Sequence, residues 1–284
     1  MLKEWPLVAF TILSQMAVGA YLLLCPLLFL SPAGTSWKPT ARAMVLVVWG
    51  MTWGLSAIAA GLSFFHLHHP FRAHRVLANL RTSWLSREIF FELAFVAFVA
   101  LAFGLVWMGQ TSGPFLRVVM AAAALAGILF LVSMGKLYML GSVPPWDAAF
   151  VGASFFLTVV ILGAMAAAWV NGSPGGEEWS YLSALWTAAS FFIAADILFA
   201  AFVTPVFGLA GYRPKPSLRP PARIPLALHL GRLAFLAGGL LLIVPAVSGD
   251  VPGGLRLPLA FALVLAGEIA GRFLFYGLAP RPGD

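Results

Sequence analysis

Charge is the first thing this chain is short of. Only 10% of its 284 residues are charged, against about 25% in soluble domains, and that excludes a soluble globular fold. Cysteine occurs once, as Cys25, so an internal disulfide is excluded. No paired-cysteine set exists to hold zinc or an iron–sulfur cluster, and any such centre would belong to a partner. Repeats of fixed period and low-complexity segments are absent as well. What the sequence has instead is apolar residues, 61% of the total. A helix crossing a bilayer needs about 20 of them in a row.

Runs nearly free of charge occupy 7–30, 43–65, 89–109, 117–137, 148–170, 181–204, 228–247 and 257–279. Each is long enough to cross a bilayer as a helix that satisfies its own backbone. The expectation is an all-α, polytopic membrane protein: one anchor domain, 1–284, of eight transmembrane helices in a bundle. The run from Leu7 to Leu30 exceeds the apolar core of a signal peptide and reads as a retained first span. The Pro-rich connector from Pro205 to Pro225 reads as an extended strap outside the bilayer.

Basic residues outnumber acidic ones, 17 to 10. In a soluble protein that excess suggests nucleic acid; here it encodes orientation. With eight spans, eleven Lys and Arg fall on the side of the termini, four fall opposite, and Arg232 and Arg272 lie inside spans. The positive-inside rule then puts the termini, the connection after the second span and the strap in the cytoplasm, and the protein in a cell inner membrane.

The connection after the second span reads Phe65-His66-Leu67-His68-His69-Pro70-Phe71-Arg72-Ala73-His74-Arg75. Imidazoles at a membrane boundary suit proton exchange near neutral pH, and the same basic loop suits anionic lipid headgroups. A metal site there lacks a second ligand cluster. Haem ligation would have to use His66 with His229. Within or at the edge of spans stand Glu88, Glu92, Asp196, Arg232, Glu268 and Arg272, and intramembrane charges point to function by default. Glu268 and Arg272, four apart, are expected to pair along one helix face. Asp196 has no partner nearby in sequence, and Arg232 could serve only if the sixth and seventh helices touch. Glu92, a turn beyond Glu88, could form a short proton path with it or repel it.

Five stretches in order resemble the membrane anchor subunit of the anaerobic dimethyl sulfoxide reductase family, the DmsC family. They are Glu4-Trp5-Pro6-Leu7 with Phe10-Thr11; His66-Leu67-His68-His69-Pro70-Phe71-Arg72-Ala73 running on to Leu85-Ser86-Arg87-Glu88-Ile89; Lys136-Leu137-Tyr138; Val143-Pro144-Pro145-Trp146; and Gly267-Glu268-Ile269-Ala270-Gly271-Arg272 ending in Phe275-Tyr276-Gly277-Leu278. The resemblance implies a heterotrimer in which this subunit binds no prosthetic group. Its partners would be an iron–sulfur subunit and a molybdopterin catalytic subunit, and its substrate menaquinol, oxidised at the membrane boundary in anaerobic respiration. The family's quinol-site histidine maps onto His66 and its acidic partner onto Glu88, while Arg72, Lys136 and Tyr138 are candidates to line the pocket. His68 and His69 stand where the family often has small residues. The rival expectations are a transporter or channel with broken helices near the midplane, and a plain anchor without quinol chemistry.

Overall fold

The computed structural model of the protein describes residues 5–29, 39–66, 79–139, 148–170, 179–209, 223–247 and 255–277. They form eight α-helices: α1 Trp5–Phe29, α2 Pro39–His66, α3 Trp84–Trp107, α4 Pro114–Tyr138, α5 Ala148–Val170, α6 Trp179–Leu209, α7 Arg223–Val247 and α8 Arg256–Gly277. No strand occurs among the described residues. All eight are long and apolar enough to cross a membrane, and the molecule is a multi-pass membrane protein. The histidine-rich connection beyond His66, the Val143-Pro144-Pro145-Trp146 stretch, residues 171–178 and most of the Pro-rich connector lie outside the described residues.

Seven of the eight helices begin ahead of their apolar runs, because charge bounds a run without bounding a helix. α3 starts at Trp84, where the Ser83 side chain accepts a hydrogen bond from the Ser86 amide, satisfying one of the unpaired donors of the first turn. Arg87 and Glu88 are therefore inside the helix. Arg42 likewise sits in α2 and donates to the carbonyls of Val106, at 3.1 Å, and Trp107, at 2.7 Å, covering the C-terminal end of α3. The expected strap is shortened at both ends, since α6 runs to Leu209 and α7 begins at Arg223. Pro205 and Pro225 are thus helical. Pro225 stands in the first turn of α7, where its missing N–H costs no helical bond.

Lipid tails are as apolar as leucine, so packing in the bundle depends on close fit and on polar contacts. α1 and α5 are the central helices, and α1 packs on α2, α4, α5 and α8. The α1–α5 crossing is built on Gly19 and Gly163: a Cβ on Gly19 would strike the Val159 carbonyl, and one on Gly163 would strike the Gly19 backbone. Gly127 of α4 lies against Val18 and Phe95, and Gly267 and Gly271 of α8 lie against Leu236 and Arg232 of α7. The outward faces carry residues such as Leu125, Phe191, Phe202 and Leu241, which are exposed as lipid-facing side chains are.

Candidate functional site

Because Arg42 meets the C-terminal end of α3, α2 and α3 run antiparallel. The 24 residues from Arg42 to His66 span about 36 Å, and the 22 from Val106 back to Trp84 about 33 Å. His66, the last residue of α2, is therefore level with the start of α3, and Glu88 lies about one turn deeper. The His66 side chain and all of Arg72 are outside the described residues.

Glu88 points into the protein, with 3% of its surface exposed. Arg87 does not neutralise it: the Arg87 guanidinium donates to the Leu80 carbonyl at 2.8 Å and the Arg81 carbonyl at 2.6 Å, and stacks on Trp84. The Glu88 Oε1 has no hydrogen-bond partner among the described residues. Glu92, one turn further in, is equally buried, and its Oε1 is also unpartnered among them. The two carboxyls are within electrostatic reach of each other.

Across from Glu88, the last turns of α4 and α8 meet in an aromatic cluster. Tyr138 has its ring 5.4 Å from Tyr276 and 5.9 Å from both Phe155 and Phe275, and Glu88 is within electrostatic reach of both tyrosines. Lys136 parts company with Tyr138. Two residues on a helix are about 200° apart, so Tyr138 is buried while Lys136 is exposed on the opposite side. The structure thus brings Glu88 within electrostatic reach of Tyr138 and Tyr276 and leaves Lys136 on the other side of α4.

Glu268 and Arg272 share a face of α8, as their spacing predicts, but they meet through a third residue. Thr158 of α5 has its hydroxyl 2.8 Å from Glu268 Oε2 and 3.1 Å from Arg272 Nη2. Arg272 Nη2 also donates to Gln15 Oε1 at 2.5 Å, and the Gln15 amide lies 3.6 Å from Met134 Sδ. The Arg272 guanidinium covers the Phe155 ring at 3.9 Å, a cation–π contact that helps to hold a desolvated charge. A direct ion pair forms instead between helices: Arg232 Nη2 is 2.8 Å from each oxygen of Asp196. α6 and α7 do touch, so the conditional partner of Asp196 is in place. His229, half-buried on α7, sits on a helix packed against α6 and α8, whereas α2 packs against α1, α3 and α5.

Sequence reasoning alone misses Gln15, Thr158 and Tyr276 as partners in these clusters. An amide inside an otherwise apolar first span is a usable signal for Gln15. Thr158 gives none, because threonine in a span commonly bonds its own helix, as Thr11 does to Leu7 and Val8.

The family model described as DMSO reductase anchor subunit (DmsC) matches residues 1–278. The protein is similar to the C chain of anaerobic dimethyl sulfoxide reductase from Escherichia coli K12, with 26% identity over 97% of this sequence and 94% of that one. The YnfH chain of anaerobic dimethyl sulfoxide reductase from the same organism is 27% identical with the same coverage. The Haemophilus influenzae counterpart of the C chain is 33% identical over 57% of this sequence and 56% of its own length. No solved structure matches. With a family match over nearly its whole length and eight helices able to cross a membrane, the chain belongs to the DmsC family of DMSO reductase anchor subunits.

Proposed function

We propose that this protein anchors a heterotrimeric molybdenum oxidoreductase in the cell inner membrane and oxidises menaquinol for it. The electrons go to a partner iron–sulfur subunit and on to a molybdopterin catalytic subunit; the anchor itself reduces no terminal acceptor. The observation that carries the reading is the buried Glu88 carboxyl, with an oxygen unpartnered among the described residues, one turn inside the bundle end where α2 finishes at His66. A quinol that gives up two electrons releases two protons as well. It needs acceptors held within hydrogen-bond reach of its hydroxyls and open to exchange with water. Glu88 and His66 fill those roles, with Tyr138 closing the inner side of the headgroup site. Arg72 and the other basic residues of the connection serve the headgroup rim and the docking of the cluster-bearing partner. The positive-inside count puts this end, and both termini, in the cytoplasm. The rival transporter reading predicts helices broken near the midplane, whereas the eight described spans run unbroken.

The test uses the assembled complex with His66→Arg and, separately, Glu88→Gln. Turnover is measured with a menaquinol analogue and with an artificial donor that reduces the partner subunits directly. Loss of a positioned proton acceptor should lower quinol-driven turnover by about a hundredfold or more and leave artificial-donor turnover intact. Full quinol-driven activity in both variants would overturn the assignment.

A further inference from the structure

The bridge between Glu268 and Arg272 has a property that a fixed ion pair lacks. Thr158 Oγ1 lies 2.8 Å from Glu268 Oε2 and 3.0 Å from the Ser154 carbonyl, and it accepts from Arg272 Nη2 at 3.1 Å. A hydroxyl carries one proton and two lone pairs. With Glu268 ionised, the Thr158 proton goes to the carboxylate and one lone pair takes Arg272. With Glu268 protonated, the carboxyl donates to the second lone pair and the Thr158 proton turns to Ser154. Both states are fully bonded at Thr158 without moving a heavy atom; only the hydroxyl rotates.

A second, independent observation concerns the atoms around the bridge. Glu268 Oε1, Arg272 Nε, Arg272 Nη1 and Arg232 Nε are all buried without a hydrogen-bond partner among the described residues. Three donors and one acceptor of charged groups left bare in hydrocarbon would be costly, and buried polar groups in this position are ordinarily met by ordered water. The Arg232 side chain reaches this space along Gly271, where a Cβ would come within 2.9 Å of Nε.

We propose that Glu268 is a proton-exchanging carboxyl in the interior of the bundle, served by buried water and switched by rotation of the Thr158 hydroxyl. The ligand is a proton delivered from solvent: one O–H bond forms on the Glu268 carboxyl as one breaks on the donating water, that water takes a replacement proton from solvent, and no electron moves. The site lies nine residues from the end of α8, about 13 Å deep, and it is separate from Glu88. The charged groups facing it are Arg272 on its own helix, Arg232 from α7 and Asp196 from α6. α1 and α5 bring Gln15 and Thr158, which do not titrate, and Tyr276 and Tyr138 are within electrostatic reach of Arg272. The inference does not rest on the quinol reading, since it follows from the wiring around Thr158.

The experiment is infrared difference spectroscopy of the purified complex, titrated in H₂O and in D₂O. A carboxyl C=O band that appears with falling pH and shifts in D₂O is expected in the unsubstituted protein and lost in Glu268→Gln. Thr158→Val, which keeps the shape and removes the hydroxyl, should move that band to higher frequency, and Thr158→Ser should return it. If Glu268→Gln does not assemble, the Thr158→Val displacement identifies the band. A spectrum with no carboxyl band that responds to either position over the pH range in which the complex is stable would overturn the proposal. A Glu268 band left unmoved by Thr158→Val would also overturn it.

Discussion

Replacing Asp196 by Asn removes one half of a buried ion pair and strands the other. Arg232 is 8% exposed and Asp196 1% exposed, and one guanidinium nitrogen sits 2.8 Å from both carboxylate oxygens. Breaking a buried pair by removing one partner costs about 3–5 kcal/mol. Placing an unpaired charge at the centre of a spanning helix costs about 2.5–3.5 kcal/mol on insertion scales. The two estimates overlap near 3 kcal/mol, or about a hundredfold in the folding equilibrium. Replacing both residues with apolar ones of similar size, Asp196→Leu with Arg232→Met, removes the stranded charge. That double variant should fall within about 1 kcal/mol of the starting protein, because buried pairs are often neutral on apolar replacement. The two matching single variants, Asp196→Leu and Arg232→Met, each strand the other charge and should sum to about 6 kcal/mol, so the coupling energy should be about 5 kcal/mol. The assay is unfolding of the protein in mild micelles by added denaturing detergent, followed by tryptophan fluorescence, for the two singles and the double. A double variant costing as much as the two singles together would refute the reasoning, since the residues would then act independently.

Three more outcomes follow from the packing and the caps. Gly163→Ala should lower stability by about 1–3 kcal/mol because the new methyl meets the Gly19 backbone, whereas Gly54→Ala, with open space around it, should be neutral or raise it by about 0.5–1 kcal/mol; thermal unfolding in detergent compares the two. Ser83→Ala should cost about 1 kcal/mol and speed amide hydrogen exchange in the first turn of α3, with the rest of that helix unchanged. Lys136→Gln should leave both stability and quinol-driven turnover within error, because the side chain is exposed on the side of α4 opposite Tyr138.

The eight spans are legible in the sequence because hydropathy is a property of composition, and backbone satisfaction in lipid leaves a long apolar run few options besides a helix. Their ends are less legible. Arg87 and Glu88 stand just before the apolar run that begins at residue 89, yet Ser83 caps the helix four residues ahead of Arg87, and that local hydrogen bond has no hydropathy signature. Glu88, expected to open the third span, thus lies about one turn inside α3. Spacing places Glu268 and Arg272 on one face, which is correct, but the residue interposed between them is 110 positions away from Glu268. Contacts of that kind depend on which helices are neighbours. The same holds for Asp196 and Arg232, whose pairing is conditional on α6 meeting α7. The glycines that bring α1 onto α5 are ordinary small residues in the sequence, and only the crossing point gives them meaning.

The central claim is that this protein is the membrane anchor of a molybdenum oxidoreductase. The most direct test is to extract the tagged protein gently from its own membranes and to measure which polypeptides, and how much iron and molybdenum, come with it. An iron–sulfur subunit and a molybdopterin subunit in equal proportion to the anchor, with both metals present, is the result predicted. An anchor that purifies without either subunit and without either metal, under conditions that keep its eight helices folded, would contradict the account.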